Sequence, residues 1–343
     1  MKPDDHAIAG NFHDFEPSLD AFRREVVRGL SERPKRIAPK FLYDETGCKL
    51  FDEICRLDEY YPTRTETSIL RENAAEICAA LGPGCRLVEF GSGSSTKTRI
   101  LLDRLSSPAA YVPVDIAREH LLRSSASLSR VYPGLSVLPV CVDYTADFSL
   151  PRMPSAPRRT VAFFPGSTIG NLEPAEAEHF LRRVAALCGQ GGALLIGVDL
   201  KKDRRTLERA YNDARGVTAA FNLNLLTRIN RAFGVSIRSE SFRHHAFYNE
   251  AFGRIEMHLV NGAEQTVQLD GAEIAFGRGE SIGTEHSYKY SVEDFEKLAA
   301  RSGWTLESFW VDAGRLFSVL YLVVDRYGAW PRVNGGDPVS PAR

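Results

Sequence analysis

The chain has 343 residues, of which 43% are hydrophobic and 25% charged, with a formal net charge of −1. That is enough apolar residue for one large or two moderate cores, and a balance this even lacks the charge excess that nucleic acid or an anionic membrane surface would recruit. No stretch matches a bilayer-spanning helix and the start, MKPDDHAIAG, is acidic where a secretory leader is basic, so a cytoplasmic protein with a small-molecule partner is expected.

Residues 1–18 are polar and loosely patterned and read as a flexible arm. From Leu19 to Leu30 the apolar Phe22, Val26, Val27 and Leu30 recur at helical spacing, with Gly29 and Pro34 closing the element. Next comes KFLYDETGCKLFDEICRLDEYYPTRTETSIL, richer in aromatic and charged residues than a packing helix needs. It predicts a helix over Asp44–Arg56 and, after Pro62, a second one capped by Thr63 and running to Ala80. Tyr60 and Tyr61 fall between them, either as aromatic core with tethered hydroxyls or as a lid over a ligand.

The most informative stretch is RLVEFGSGSSTKTRIL, residues 86–101. A short apolar run carrying Glu89 breaks at Gly91-Ser92-Gly93 and resumes as a helix near Ser95-Thr96, which predicts strand, glycine turn and helix. Such a turn admits positive φ and close approach by a ligand. The third position of the dinucleotide fingerprint is Thr96 rather than Gly, and no Gly-Lys-Ser/Thr ending follows, so phosphate is not the obvious guest. Three further strands are predicted: Tyr111–Asp115, Val137–Val142 followed by Asp143-Tyr144, and Val161–Phe164 followed by Pro165-Gly166. Polar residues at successive strand ends are where an open parallel sheet binds its ligand, with an acid on ribose hydroxyls. Adenine and ribose without pyrophosphate point to S-adenosylmethionine.

After Phe164 runs the loop GSTIGNLEP, in which Asn171 suits a substrate amine or carboxylate, or serves as a helix N-cap. A helix over Ala175–Leu187 and a fifth strand over Ala193–Val198 ending at Asp199 complete the alternation. Beyond Lys201 helices flank Gly216 and several strands follow, with Trp304–Val311 and Leu316–Val324 returning as an antiparallel edge pair. In GESIGTEHSYKYS, Glu285 and Ser287 share one side if extended, either as a solvated charged strand or as ligand contacts. Six cysteines without C-x-x-C spacing and eight histidines without H-x-x-x-H spacing predict reduced thiols and no metal site.

With these residues laid out, the chain resembles the histidine-specific methyltransferase family that makes the trimethylated betaine hercynine in ergothioneine biosynthesis. The resemblance lies in FLYDETGCKLFDEICRLDEYYPTRTE, LVEFGSGSSTKT, FFPGSTIGNL, RAYNDARGVTAAFN, RIEM and TEHSYKY, and spans about residues 20 to 325. It implies S-adenosylmethionine contacts at Gly91, Lys97 and Asp115, with Asp143 and Tyr144 near the adenine. It also implies an L-histidine pocket: Tyr43 near the reacting amine, Tyr60 near the imidazole, Asn171 and Tyr211 on the amino-acid backbone groups, Met257 as an apolar wall, and Glu285 with Ser287 on the ring.

The expected fold is α/β, a doubly wound, mostly parallel Rossmann-like methyltransferase sheet with a smaller α+β substrate-binding section. The expected divisions are the arm at 1–18, a helical cover with the S-adenosylmethionine-binding domain at 19–200, the substrate-binding section at 201–300, the returning strands at 301–325 and a flexible tail at 326–343. Methyl transfer needs a neutral amine lone pair aligned with the donor, so positioning and water exclusion dominate and no metal is called for. The expected activity is three methyl transfers to the α-nitrogen of histidine by a monomeric enzyme. The alternatives are another amino acid as acceptor, such as tryptophan or tyrosine, a non-enzymatic nucleoside-binding module, and an oxidoreductase on a dinucleotide.

Overall fold

β-branched and aromatic runs bounded by turn residues form the strands, and amphipathic runs between them the helices. The computed structural model describes residues 12–15, 18–93, 95–153 and 155–324. In chain order the strands are β1 (His13–Phe15), β2 (Lys35–Arg36), β3 (Cys85–Phe90), β4 (Ala110–Asp115), β5 (Val140–Val142), β6 (Arg159–Phe164), β7 (Ala193–Asp199), β8 (Phe242–Asn249), β9 (Arg254–Asn261), β10 (Gln265–Leu269), β11 (Ala272–Phe276), β12 (Ser281–Tyr288), β13 (Trp304–Val311) and β14 (Phe317–Val324). The helices are α1 (Leu19–Ser31), α2 (Glu45–Ile54), α3 (Tyr61–Glu72), α4 (Ala74–Leu81), α5 (Thr96–Leu102), α6 (Arg118–Val131), α7 (Pro174–Cys188), α8 (Arg204–Tyr211), α9 (Val217–Phe233) and α10 (Val292–Ala300).

The main sheet has the order β1-β5-β4-β3-β6-β7-β14-β13. It is parallel from β1 to β7, then antiparallel at β14 and β13. This is the doubly wound, mostly parallel α/β sheet that the strand and helix alternation predicts. The chain winds outward from β3 through β5 and returns to the other side at β6, which opens a crevice at the carboxyl ends of β3 and β6. Apolar side chains on both faces explain why its central strands read as continuous hydrophobic runs.

A second sheet, β2-β12-β9-β8, stands apart from a two-stranded β10–β11 hairpin. Its core joins Ile255, Met257 and Leu259 of β9 to Phe22 and Val26 of α1, Ile54 of α2, Tyr60, and Phe221 and Leu225 of α9. The helices before the glycine turn therefore pack with strands about two hundred residues further on, and that packing brings Tyr43 and Tyr60 near Glu285.

Several elements differ from their sequence-based form. His13–Phe15, expected within the arm, adds a parallel strand beside β5. The third strand starts at Val140, with Val137 making only an isolated bridge to Tyr111, because Pro139 has no N–H to continue the ladder. Thr63 is not a cap: Tyr60 holds that position and Pro62 sits in the first turn, where a missing N–H is harmless. The long helix predicted to Ala80 breaks at Asn73, whose Nδ2 donates to the Ile69 carbonyl at 2.8 Å and ends α3 before α4 begins. The expected tail at 326–343 and the first eleven residues lie outside the described residues.

Candidate active site

The glycine turn lies at the crevice. Gly91 and Gly93 have φ of 70° and 45°, and a Cβ on either would meet no atom of the described residues beyond its chain neighbours within 4 Å, so the cradle is open on that side. At the end of β4 the Asp115 carboxylate accepts from Gly93 N–H at 3.1 Å and Ala117 N–H at 2.9 Å, which ties the second strand to the turn. Burial raises the Asp115 carboxyl against those bonds. Beneath the turn Glu89, 2% exposed, is pushed up to about 7 by burial while Thr98 and Tyr111 hydroxyls donate to it.

Lys97 pairs with Glu66, a fully buried carboxylate on α3 that also accepts from Gly166 N–H at 2.9 Å. Gly197 on β7 makes this possible, since a Cβ there would come within 2.0 Å of Glu66 Oε1. Asp143 is held by Lys40 Nζ at 2.9 Å and by Thr145 N–H at 2.9 Å; burial opposes its charge, but these donors keep it below the usual carboxylate range. Tyr144 joins an edge-to-face cluster with Phe90, Phe164 and Phe180, their ring centroids 5.7–6.1 Å from its own.

A second cluster of buried side chains lies near this cradle, since Tyr144 and Glu285 both act on Tyr43. Tyr60 lies between Phe51 and Tyr211, with centroids 6.2 Å from each, and Tyr43 packs edge-on against Phe51 and Phe221. Burial raises the phenols of Tyr43 and Tyr60 well above their ordinary value, and Glu285 adds to both, which sets its carboxylate among these rings. Met257, 1% exposed, faces Glu285 across the β9–β12 pairing. Glu285 itself is 7% exposed and has no hydrogen bond from any described residue. Burial lifts it to about 7, with Lys289 pulling the other way. An unpartnered buried carboxylate in an aromatic pocket is arranged for a ligand N–H.

Strand alternation sorts the neighbours of Glu285. Ser287 and Lys289 share its side, where Tyr211 O–H donates to Ser287 Oγ at 2.9 Å and Lys289 Nζ lies 2.8 Å from the same oxygen. His286 and Tyr288 turn the opposite way, toward Glu173, Arg36 and Arg254, so their bulk stays out of the pocket. Glu173 is also the N-cap of α7, in a capping box with Glu176. The cap reading of Asn171 is thereby excluded, and its carboxamide, in the turn Thr168–Asn171, has no hydrogen-bond partner among the described residues.

Sequence reasoning missed the charges behind this pocket. Asp199 at the end of β7 is fully buried and accepts from Tyr61 O–H at 2.8 Å, Lys202 Nζ at 2.6 Å and Lys289 Nζ at 2.9 Å. Tyr61 is thus a core aromatic with a tethered hydroxyl, whereas the hydroxyl of Tyr60 has no such tether among the described residues. The signal for Lys289 was present, since it continues the two-residue period of Glu285 and Ser287; Glu66 carried none, and Asp199 only that of a strand end, because Lys97, Tyr61 and Lys289 lie far along the chain from them.

Comparison with known proteins places the chain beside a family and several relatives. The family described as histidine-specific methyltransferase, SAM-dependent, matches residues 22–324. The histidine N-alpha-methyltransferase of Mycolicibacterium smegmatis is 41% identical over 307 residues, 88% of this chain and 94% of that one. Its counterpart in Mycobacterium tuberculosis is 41% identical over 300 residues, 85% and 91% of the two chains. Ergothioneine biosynthesis protein 1 of Neurospora crassa is 28% identical over 295 residues, 81% of this chain but 32% of that longer protein.

Proposed function

The chain belongs to the histidine-specific, S-adenosylmethionine-dependent methyltransferase family, and we infer from this that it methylates the α-amino nitrogen of L-histidine in ergothioneine biosynthesis. We take the reaction to run three times, to the trimethylated betaine. The observation that carries the reading is Glu285: a buried carboxylate without a donor among the described residues, two residues from a hydroxyl on the same strand face. Imidazole matches that pair with one N–H and one bare nitrogen, whereas a benzene ring offers neither and indole only the N–H.

The open glycine cradle and strand-end carboxylate fit the methyl donor. Gly91, Gly93 and Asp115 would hold its nucleoside, Lys97 its carboxylate, and Asp143 with Tyr144 the adenine end. When bound, S-adenosylmethionine supplies an electrophilic methyl group. The chain's own residues then orient the acceptor. Glu285 and Ser287 fix the ring, Met257 and the aromatic wall exclude water, and Asn171 offers two donors and an acceptor to the amino-acid backbone groups. Tyr43 and Tyr60 stay neutral phenols because burial raises them, so they position an amine N–H and do not remove its proton. Few direct bonds at the amine leave room for a second and a third methyl.

Tyr211 has its proton committed to Ser287 and accepts from Lys289 at 3.1 Å. Toward the substrate it is an acceptor, suited to the amine rather than the carboxylate. The test is mass spectrometry of histidine incubated with the purified protein and S-adenosylmethionine. Methylation on the α-nitrogen supports the reading, and absence of methylated histidine overturns it.

A further inference from the structure

A lysine ammonium has three hydrogens and no acceptor, and a serine hydroxyl has one hydrogen and two lone pairs. Lys289, whose side chain is fully buried, aims at Ser287 Oγ (2.8 Å), Tyr211 Oη (3.1 Å) and Asp199 Oδ2 (2.9 Å), so all its hydrogens are spent. Ser287 Oγ also accepts from Tyr211 at 2.9 Å, which fills its second lone pair. The single valence left on Ser287 is its own hydrogen. Glu285, two residues away on the same face, is an acceptor.

We propose that Lys289 is a specificity-determining positioning residue: by saturating Ser287 directly and through Tyr211, it makes that hydroxyl an obligate donor, so the pocket takes the substrate imidazole only as the neutral ring. One ring N–H then meets Glu285 and the bare nitrogen meets Ser287. This rests on Glu285 and Ser287 being the ring contacts.

The surrounding charges act in the same direction. The groups facing the triad are Glu285 on β12, Asp199 on β7, Lys202 beyond it, Tyr61 and Tyr60 at the start of α3, Tyr211 on α8, and Tyr43 before α2. Lys289 and Lys202 balance Asp199 and Glu285, whose ionised form is the one a bound ring N–H stabilises. A neutral ring preserves that balance, whereas an imidazolium adds an uncompensated buried charge and sets an N–H against the hydrogen of Ser287.

The experiment is nitrogen-15 NMR of ring-labelled histidine bound to the protein together with S-adenosylhomocysteine, followed against pH. In wild type the bound ring should show one protonated and one bare nitrogen to at least about one pH unit below the free ring's value of about 6.5, about a tenfold preference for the neutral form. In K289M, Ser287 regains a lone pair and the nearby cation is gone, so the bound ring should take its second proton at or above the free value. K289M leaves Asp199 with Lys202 and Tyr61 alone; should that variant not fold, K289M/D199N removes both charges and carries the same expectation. A lysine that merely supports the fold would weaken both ring forms alike and leave the ring's titration in place. A wild-type ring doubly protonated at pH 6, or a titration unmoved in the lysine variant, overturns the proposal. No bound-histidine signal in wild type would overturn the proposed function itself, a different result.

Discussion

Replacing Glu285 by glutamine should move stability and activity in opposite directions. Burial lifts this carboxyl from 4.5 to about 7 with no hydrogen bond from a described residue to offset it. A group whose folded pKa exceeds its unfolded one gives stability that is full below the unfolded value and is lost as pH rises through the folded value. Here the window runs from 4.5 to about 7, and the displacement corresponds to on the order of 3 kcal/mol lost by pH 8. E285Q has no charge to desolvate, so at pH 8 it should melt above wild type, with the difference fading toward pH 4.5. A hydrogen bond to a charged group contributes about 1.5–3 kcal/mol, so kcat/KM for histidine should fall about 10- to 150-fold. Affinity for S-adenosylmethionine should hold. Thermal melts at the two pH values, with steady-state methyl transfer, read out both effects. A variant less stable than wild type at pH 8, or one turning over histidine within about twofold, would refute the reasoning.

Three further substitutions probe the scaffold. G91A places a side chain at φ 70°, costing about 1–2 kcal/mol, and its methyl points into the cradle; calorimetry should show weaker S-adenosylmethionine binding, and an unchanged constant would mean the donor lies elsewhere. G197A drives a Cβ toward Glu66 Oε1, now 2.0 Å from that position, and so parts Glu66 from Lys97; breaking a buried pair costs about 3–5 kcal/mol, and an unaltered melt would show that Glu66 is not fixed there. Glu173 is opposed by burial, but hydrogen bonds from Tyr288 and His286 and the pairing with Arg36 bring it down to about 2, so its stabilisation is present above its unfolded 4.5 and lost as pH falls toward 2. E173A should therefore lose stability at pH 7 and show a flatter acid limb in pH-dependent melts; an acid limb as steep as in wild type would contradict this.

The main sheet was legible because each central strand is a short apolar run ending in a turn or an acid, as in Leu87–Phe90 before Gly91 and Tyr111–Val114 before Asp115. The helix break at Asn73 was not, since apolar spacing continues on both sides and only a side-chain bond to Ile69 decides it. The surroundings of Glu285 were legible in part: alternation gave Ser287, and extended one step further would have given Lys289. Asp199 was visible only as a strand end. Its meaning depends on Tyr61, Lys202 and Lys289, which converge through the packing of α3 and β12 around β7. Likewise β2, two residues long, pairs with β12 across nearly 250 positions and leaves no local pattern.

The central claim is that the pocket beside the glycine cradle presents the α-amine of histidine to the methyl donor repeatedly. Mass spectrometry with fragmentation, on histidine incubated with purified protein and S-adenosylmethionine, tests it most directly. The account predicts one, two and then three methyl groups, all on the α-nitrogen. Methyl groups on the imidazole, or no methylated histidine beside a methylated product of another amino acid, would contradict it.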